Sequence, residues 1–309
     1  MDRRTQEGFH HFHEGVALQE QGRLDGAKEA YLRAIKADKT IAAAYNNLGF
    51  LCLKTGDFRL AAKYFQEVVT LETDSVEALH NLGYAYERQE MLGTAKTCYT
   101  KALQIDPSHQ ETYLNLGMIA EREGNFAEAR QNYLMAVQAT GDSSHAYFCL
   151  GVLYERMDLF DEAIAAYQEA LLCDPKHRKA LFNIARLHHT DGDHPSAIRC
   201  FEQVLELDPH NPQIYNNLGL LYEELGEWPT AIECFQKAAE LETFLPDVHL
   251  NLARALYHHH RGELTSDILH QLMARLQMAL SLDLDHHSKA IRRKIEEFLD
   301  FLSSMALGA

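Results

Sequence analysis

The sequence contains no apolar run near the ~20 residues that cross a bilayer, so membrane insertion is not expected. Its start, MDRRTQEGFHHFHEG, lacks the apolar segment of a secretory leader. Seven prolines and no low-complexity tract in 309 residues argue against long disordered arms. Positive charge is scarce: 29 basic residues face 45 acidic ones, for a net charge of −16. Such a surface repels phosphate backbones and anionic lipid, which disfavours nucleic acid and membranes and favours basic partner segments. The six cysteines, Cys52, Cys98, Cys149, Cys173, Cys200 and Cys234, form no CxxC pair and lie beside apolar neighbours. They read as small buried thiols of a reducing compartment, with the cytoplasm as the default.

Signatures of chemistry are missing as well. There is no GxxxxGK[ST] phosphate loop, GxGxxG turn, GxSxG elbow or HExxH helix. The 18 histidines include His10-His11-x-His13, His188-His189 and His258-His259-His260. Adjacent histidines on a helix point apart, whereas ligand pairs need i, i+3 or i+4 spacing. His10 and His13 have that spacing, but no nearby cysteine or carboxylate completes a set. The clusters read as structural or surface residues, and no catalytic residue, metal or cofactor is expected.

What is present is a repeat. Leu48-Gly49, Leu82-Gly83, Leu116-Gly117, Leu150-Gly151, Ile184-Ala185, Leu218-Gly219 and Leu252-Ala253 recur every 34 residues, and Glu14-Gly15 extends the series backwards. Twelve residues past the small residue comes Ala27, Ala61, Ala95, Ala129, Ala163, Ala197 or Ala231. Four further on stands Tyr31, Phe65, Tyr99, Tyr133, Tyr167, Phe201 or Phe235. Each unit holds two blocks with apolar residues at helical spacing, parted by a turn near Gly22, Gly56, Gly124, Gly192 or Gly226. The small residue lets the helices of a hairpin approach, and the aromatic fills the space between them. A lone hairpin cannot bury its apolar face, so neighbours must stack.

These positions resemble the tetratricopeptide (TPR) signature W-x2-L-G-x2-Y, A-x3-F and P. The third unit carries Leu79, Leu82, Gly83, Tyr86, Ala95, Tyr99, Ala102 and Pro107. Departures are local: Glu14 replaces leucine in the first unit and Gly141 replaces proline in the fourth. The resemblance implies an all-α fold, a right-handed solenoid of about eight helix-turn-helix repeats. Read as one solenoid over 1–309, the repeats fall at 8–41, 42–75, 76–109, 110–143, 144–177, 178–211, 212–245 and 246–286. The last contains a seven-residue insertion somewhere in 258–272. At 287–309, Ile291, Ile295, Phe298, Leu302 and Met305 mark one apolar stripe, read as a capping helix, with a partner-docking helix as the rival.

The family lines its concave side with first helices, which directs attention to three columns. Asn47, Asn81, Asn115, Asn183, Asn217 and Asn251 stand two residues before the small one. An amide both donates and accepts, so one per repeat could grip a ligand backbone, similar to the ladder of O-linked N-acetylglucosamine transferase. The opposing reading is that these amides tie one repeat to the next. Leu114, Met118, Phe148, Val152 and Phe182 form an apolar set that suits an amphipathic partner helix or, equally, core packing. Arg88, Arg122 and Arg156, each preceded by a glutamate, could read acidic groups or form a solvated face; Arg186 stands just after its small residue. A chaperone-type carboxylate clamp is absent, because no unit has asparagine directly after the small residue. The expectation is a non-enzymatic adaptor or scaffold that holds a segment of another protein. A substrate-recruiting subunit of a separate enzyme and a self-associating homo-oligomeric scaffold are the alternatives.

Overall fold

A computed structural model describes residues 3–140, 143–242, 246–282 and 289–307, with the backbone alone at 140, 282, 290, 306 and 307. Gly141 and the 286/287 boundary lie outside the described residues. Seventeen helices and no strand occur among them. Two compact units result, Met1–Cys173 and Asp174–Ala309.

The first unit contains α1 (Arg3–Glu20), α2 (Leu24–Ala37), α3 (Ala42–Thr55), α4 (Phe58–Leu71), α5 (Val76–Glu87), α6 (Leu92–Ile105), α7 (Gln110–Arg122), α8 (Phe126–Thr140), α9 (Ser144–Arg156) and α10 (Phe160–Cys173). Each packs on its successor, so the hairpins stack in chain order. The aromatic column forms the spine: Tyr31, Phe65, Tyr99, Tyr133 and Tyr167 are all essentially without solvent contact. Why the facing residue must be small is plain at Gly49, where an added Cβ would lie 2.6 Å from the Phe65 ring. Filling that space costs about 1–3 kcal/mol in displaced side chains.

The second unit contains α11 (Arg178–Asp191), α12 (His194–Leu207), α13 (Pro212–Glu224), α14 (Trp228–Leu241), α15 (Pro246–His259), α16 (Ser266–Leu282) and α17 (Lys289–Leu307). Its spine is Phe201 and Phe235. Asp193 and Asn211 cap α12 and α13 with their side chains, and Pro195, Pro212 and Pro229 occupy first-turn positions that need no N–H. The insertion of the eighth repeat divides between a longer connection, 260–265, and a longer helix, since α16 has 17 residues against 14 in α14. α17 buries Ile295 and Leu302 in one cluster with Leu250, Leu269, Leu272 and Leu276.

The cysteines divide: Cys52 and Cys98 are buried, and the other four are half-buried. Burial pushes the Cys149 thiol up to about 12 and that of Cys234 to about 11, so neither is a ready nucleophile.

Candidate functional site

A buried tyrosine must place its hydroxyl on a partner, and here the partner is built into the repeat. Tyr31 donates to Gln19 (3.0 Å), Tyr99 to Glu87 (3.0 Å), Tyr133 to Glu121 (2.9 Å) and Tyr167 to Glu155 (2.6 Å). Each acceptor stands four residues past the small residue of the same repeat. The same hydroxyls then accept from the next repeat: Asn47 Nδ2 donates to Tyr31 and Asn115 Nδ2 to Tyr99, both at 3.1 Å. These two asparagines therefore connect successive hairpins.

Where the spine residue is phenylalanine, no hydroxyl is available. Asn81 follows Phe65 and Asn217 follows Phe201, and neither amide has a hydrogen-bond partner among the described residues. Asn251 follows Phe235 and donates instead to Asn216 Oδ1 at 3.0 Å. Asn183 is engaged by its surroundings. The six asparagines thus perform different tasks.

Two arginines of the column face glutamates of the preceding repeat. Arg122 pairs with Glu90 and lies 3.8 Å from Glu87, and Arg156 pairs with Glu121. Arg88 rests over the Phe58 ring, 4.5 Å from its centre, and donates to the Tyr84 hydroxyl. Arg186 is also engaged. Glu87 and Glu121 each serve a tyrosine and an arginine from different repeats. Burial raises the Glu87 pKa despite those two favourable contacts, which marks it as a partly desolvated hub.

A depression of about 360 Å³ opens on the first-helix face of the first unit. Phe50 and Leu53 of α3 form one wall, with His80, Asn81 and Tyr84 of α5 beside them. Glu111, Leu114, Asn115 and Met118 of α7, and His145 of α9, complete it. Phe50 is 46% exposed and Met118 37%, whereas Leu114 is buried and belongs to the core. Asn81 brings a free amide into this space, and Asn115 a carbonyl oxygen, since its Nδ2 is committed to Tyr99. The depression therefore combines exposed apolar side chains with polar groups that can donate and accept hydrogen bonds.

His80 was not legible as a lining residue. Its Nδ1 sits 3.0 Å from Thr112 Oγ1, to which His109 also approaches at 2.7 Å, and Thr112 is fully buried. Burial, aided by the neighbouring His109, holds the His80 pKa down to about 4. Phe148 and Val152 are half-buried outside this depression, Phe148 against the Tyr167 ring at 5.6 Å. In the second unit, Phe182 meets Phe201 edge-on at 5.8 Å.

Paired helices at this period, with a small residue against an aromatic spine, define a TPR protein, a class of protein-interaction scaffolds. The tetratricopeptide-repeat family model matches residues 12–75. The chain belongs to the family of the cilia and flagella-associated protein 70 C-terminal domain, whose model matches residues 68–289. No curated protein matches it. Solved structures agree on the fold. The C-terminal part of a TPR repeat-containing protein from Cytophaga hutchinsonii superposes with a TM-score of 0.64 at 16% identity, over 78% of this chain and 99% of that one. A TPR protein from Parabacteroides merdae gives 0.57 at 18% identity, over 81% and 99%. MamA gives 0.50 at 25% identity, over 56% and 94%.

Proposed function

We propose that the first unit holds an extended or amphipathic segment of a partner protein on its first-helix face, and that the chain performs no chemistry of its own. The observation that carries this reading is the depression between α3 and α9, where exposed Phe50 and Met118 flank the unpaired Asn81 amide. An apolar side chain of the partner would fill the space over Leu114, while Asn81 would meet its backbone. The family's association with cilia and flagella directs the search for that partner to proteins of those organelles. With no helix long and apolar enough to cross a membrane among the described residues, the scaffold would work from an aqueous compartment, the cytoplasm or its ciliary extension.

The test is capture of partners from a ciliated-cell lysate by the full chain and by the Met118→Glu and Asn81→Ala variants, quantified by mass spectrometry. A charge placed in the apolar space should reduce capture of the specific partner at least about tenfold, and loss of the amide several-fold. Equal capture by all three proteins, with unchanged helical circular dichroism, would remove this surface from the function.

A further inference from the structure

Within the second unit, three side chains from three helices converge where the sixth repeat meets the seventh. His189 lies in the last turn of α11, His194 opens α12 and Glu224 closes α13. His189 Nε2 is 2.9 Å from Glu224 Oε2, and His194 Nδ1 is 3.8 Å from the same oxygen. The three donor atoms lie within 4.8 Å of one another. His194 Nδ1 is buried and has no hydrogen-bond partner, the kind of orphan that costs about 1–3 kcal/mol when nothing satisfies it.

The backbone fixes this arrangement in advance. Gly192 ends α11 at φ +81°, a left-handed conformation that a side-chain-bearing residue adopts at a cost, and its N–H bonds the carbonyls of His188 and His189. Asp193 caps α12 through Ser196 N–H, and Pro195 follows in the first turn. The two imidazoles are thereby held with ring centres 6.0 Å apart. His189 also occupies the column that holds Glu87, Glu121 and Glu155 in the tyrosine repeats. Phe201 has no hydroxyl to donate there, so the position is released from spine duty.

We propose that His189, His194 and Glu224 form a binding site for a divalent transition metal, with zinc the best chemical match. Two imidazoles and one carboxylate suit zinc and its neighbours, whereas calcium and magnesium prefer oxygen-only sets. With ligands about 2.0–2.1 Å from a tetrahedral ion, donor atoms stand roughly 3.3 Å apart. The two spacings to Glu224, 2.9 and 3.8 Å, bracket that value. The ion takes up the His194 lone pair that the protein leaves unmatched, and it clips the sixth hairpin's turn to the first helix of the seventh. Three protein ligands leave a fourth position for water or for a donor from a bound partner. Glu224 is half exposed, so an ion enters directly from solvent.

The test uses the full chain, stripped with a chelator and titrated with Co(II), whose visible bands report a four-coordinate site. One equivalent should produce those bands, and Zn(II) should displace them. His194→Ala and Glu224→Gln should each weaken binding at least about 100-fold, since loss of a ligand exceeds the 10–100-fold cost of losing a supporting contact. Replacing His258, His259 and His260 together by Ala should leave the bands intact. Zn(II) should raise the melting temperature of the parent chain by a few degrees, and that of Glu224→Gln hardly at all. Glu224 is exposed, so this variant decides the matter even if His194→Ala folds poorly. Absence of four-coordinate bands, or bands that survive both single changes and vanish in the triple-histidine variant, would overturn the proposal.

Discussion

The tyrosine repeats and the phenylalanine repeats of this chain share one packing plan and differ by one oxygen atom. In the first, third, fourth and fifth repeats the hydroxyl commits an acceptor four residues past the small one. In the first and third it also commits the asparagine of the next repeat. In the second, sixth and seventh, Phe65, Phe201 and Phe235 fill the same volume and make no such demand. The polar positions around them are released: Asn81 opens into the depression, and His189 turns to Glu224 and His194. The tyrosine repeats thus add hydrogen bonds within and between hairpins that the equally buried phenylalanine repeats lack.

The largest effect should come from Tyr99→Phe. It strands the half-buried Glu87 and the Asn115 amide together, and should cost about 2–3 kcal/mol in urea denaturation. Acid should act next. His80 has a folded pKa of about 4, below its ordinary value of 6.5, so its neutral form is the one the fold favours. Its contribution is complete above pH about 6.5 and is lost as pH falls through about 4, on the order of 1–2 kcal/mol given its residual exposure. Melting temperatures across that window should fall more steeply for the parent chain than for His80→Asn. The reverse exchange, Phe65→Tyr, should give Asn81 a hydroxyl to hold. It should cost up to about 1 kcal/mol, because Leu53 offers no second acceptor, and it should weaken partner capture. The smallest effect belongs to Asn81→Ala, whose stability should stay within about 0.5 kcal/mol of the parent.

Much of the fold was legible because period and residue size are geometric quantities. A 34-residue register implies paired helices, and the Gly-facing-aromatic rule points to the spine. The asparagine column was less legible, since one residue type at one position serves two purposes according to an atom 16 residues earlier. That atom is written in the sequence as the alternation of tyrosine and phenylalanine, and the Gln19, Glu87, Glu121 and Glu155 column accompanies it. The partners of Arg122 and Arg156 were hidden for a related reason: each answers a glutamate of the preceding repeat rather than its own neighbour. The histidine–glutamate cluster escaped because His189 and His194 are five apart across a glycine turn, outside any helical spacing rule.

The most direct test compares Asn115→Ala with Asn81→Ala, measuring the denaturation midpoint and partner capture for both. The account predicts that Asn115→Ala lowers stability by about 1 kcal/mol, through the lost bond to Tyr99, whereas Asn81→Ala leaves stability unchanged and weakens capture. Equal losses of stability in the two variants, or full capture by Asn81→Ala, would contradict it.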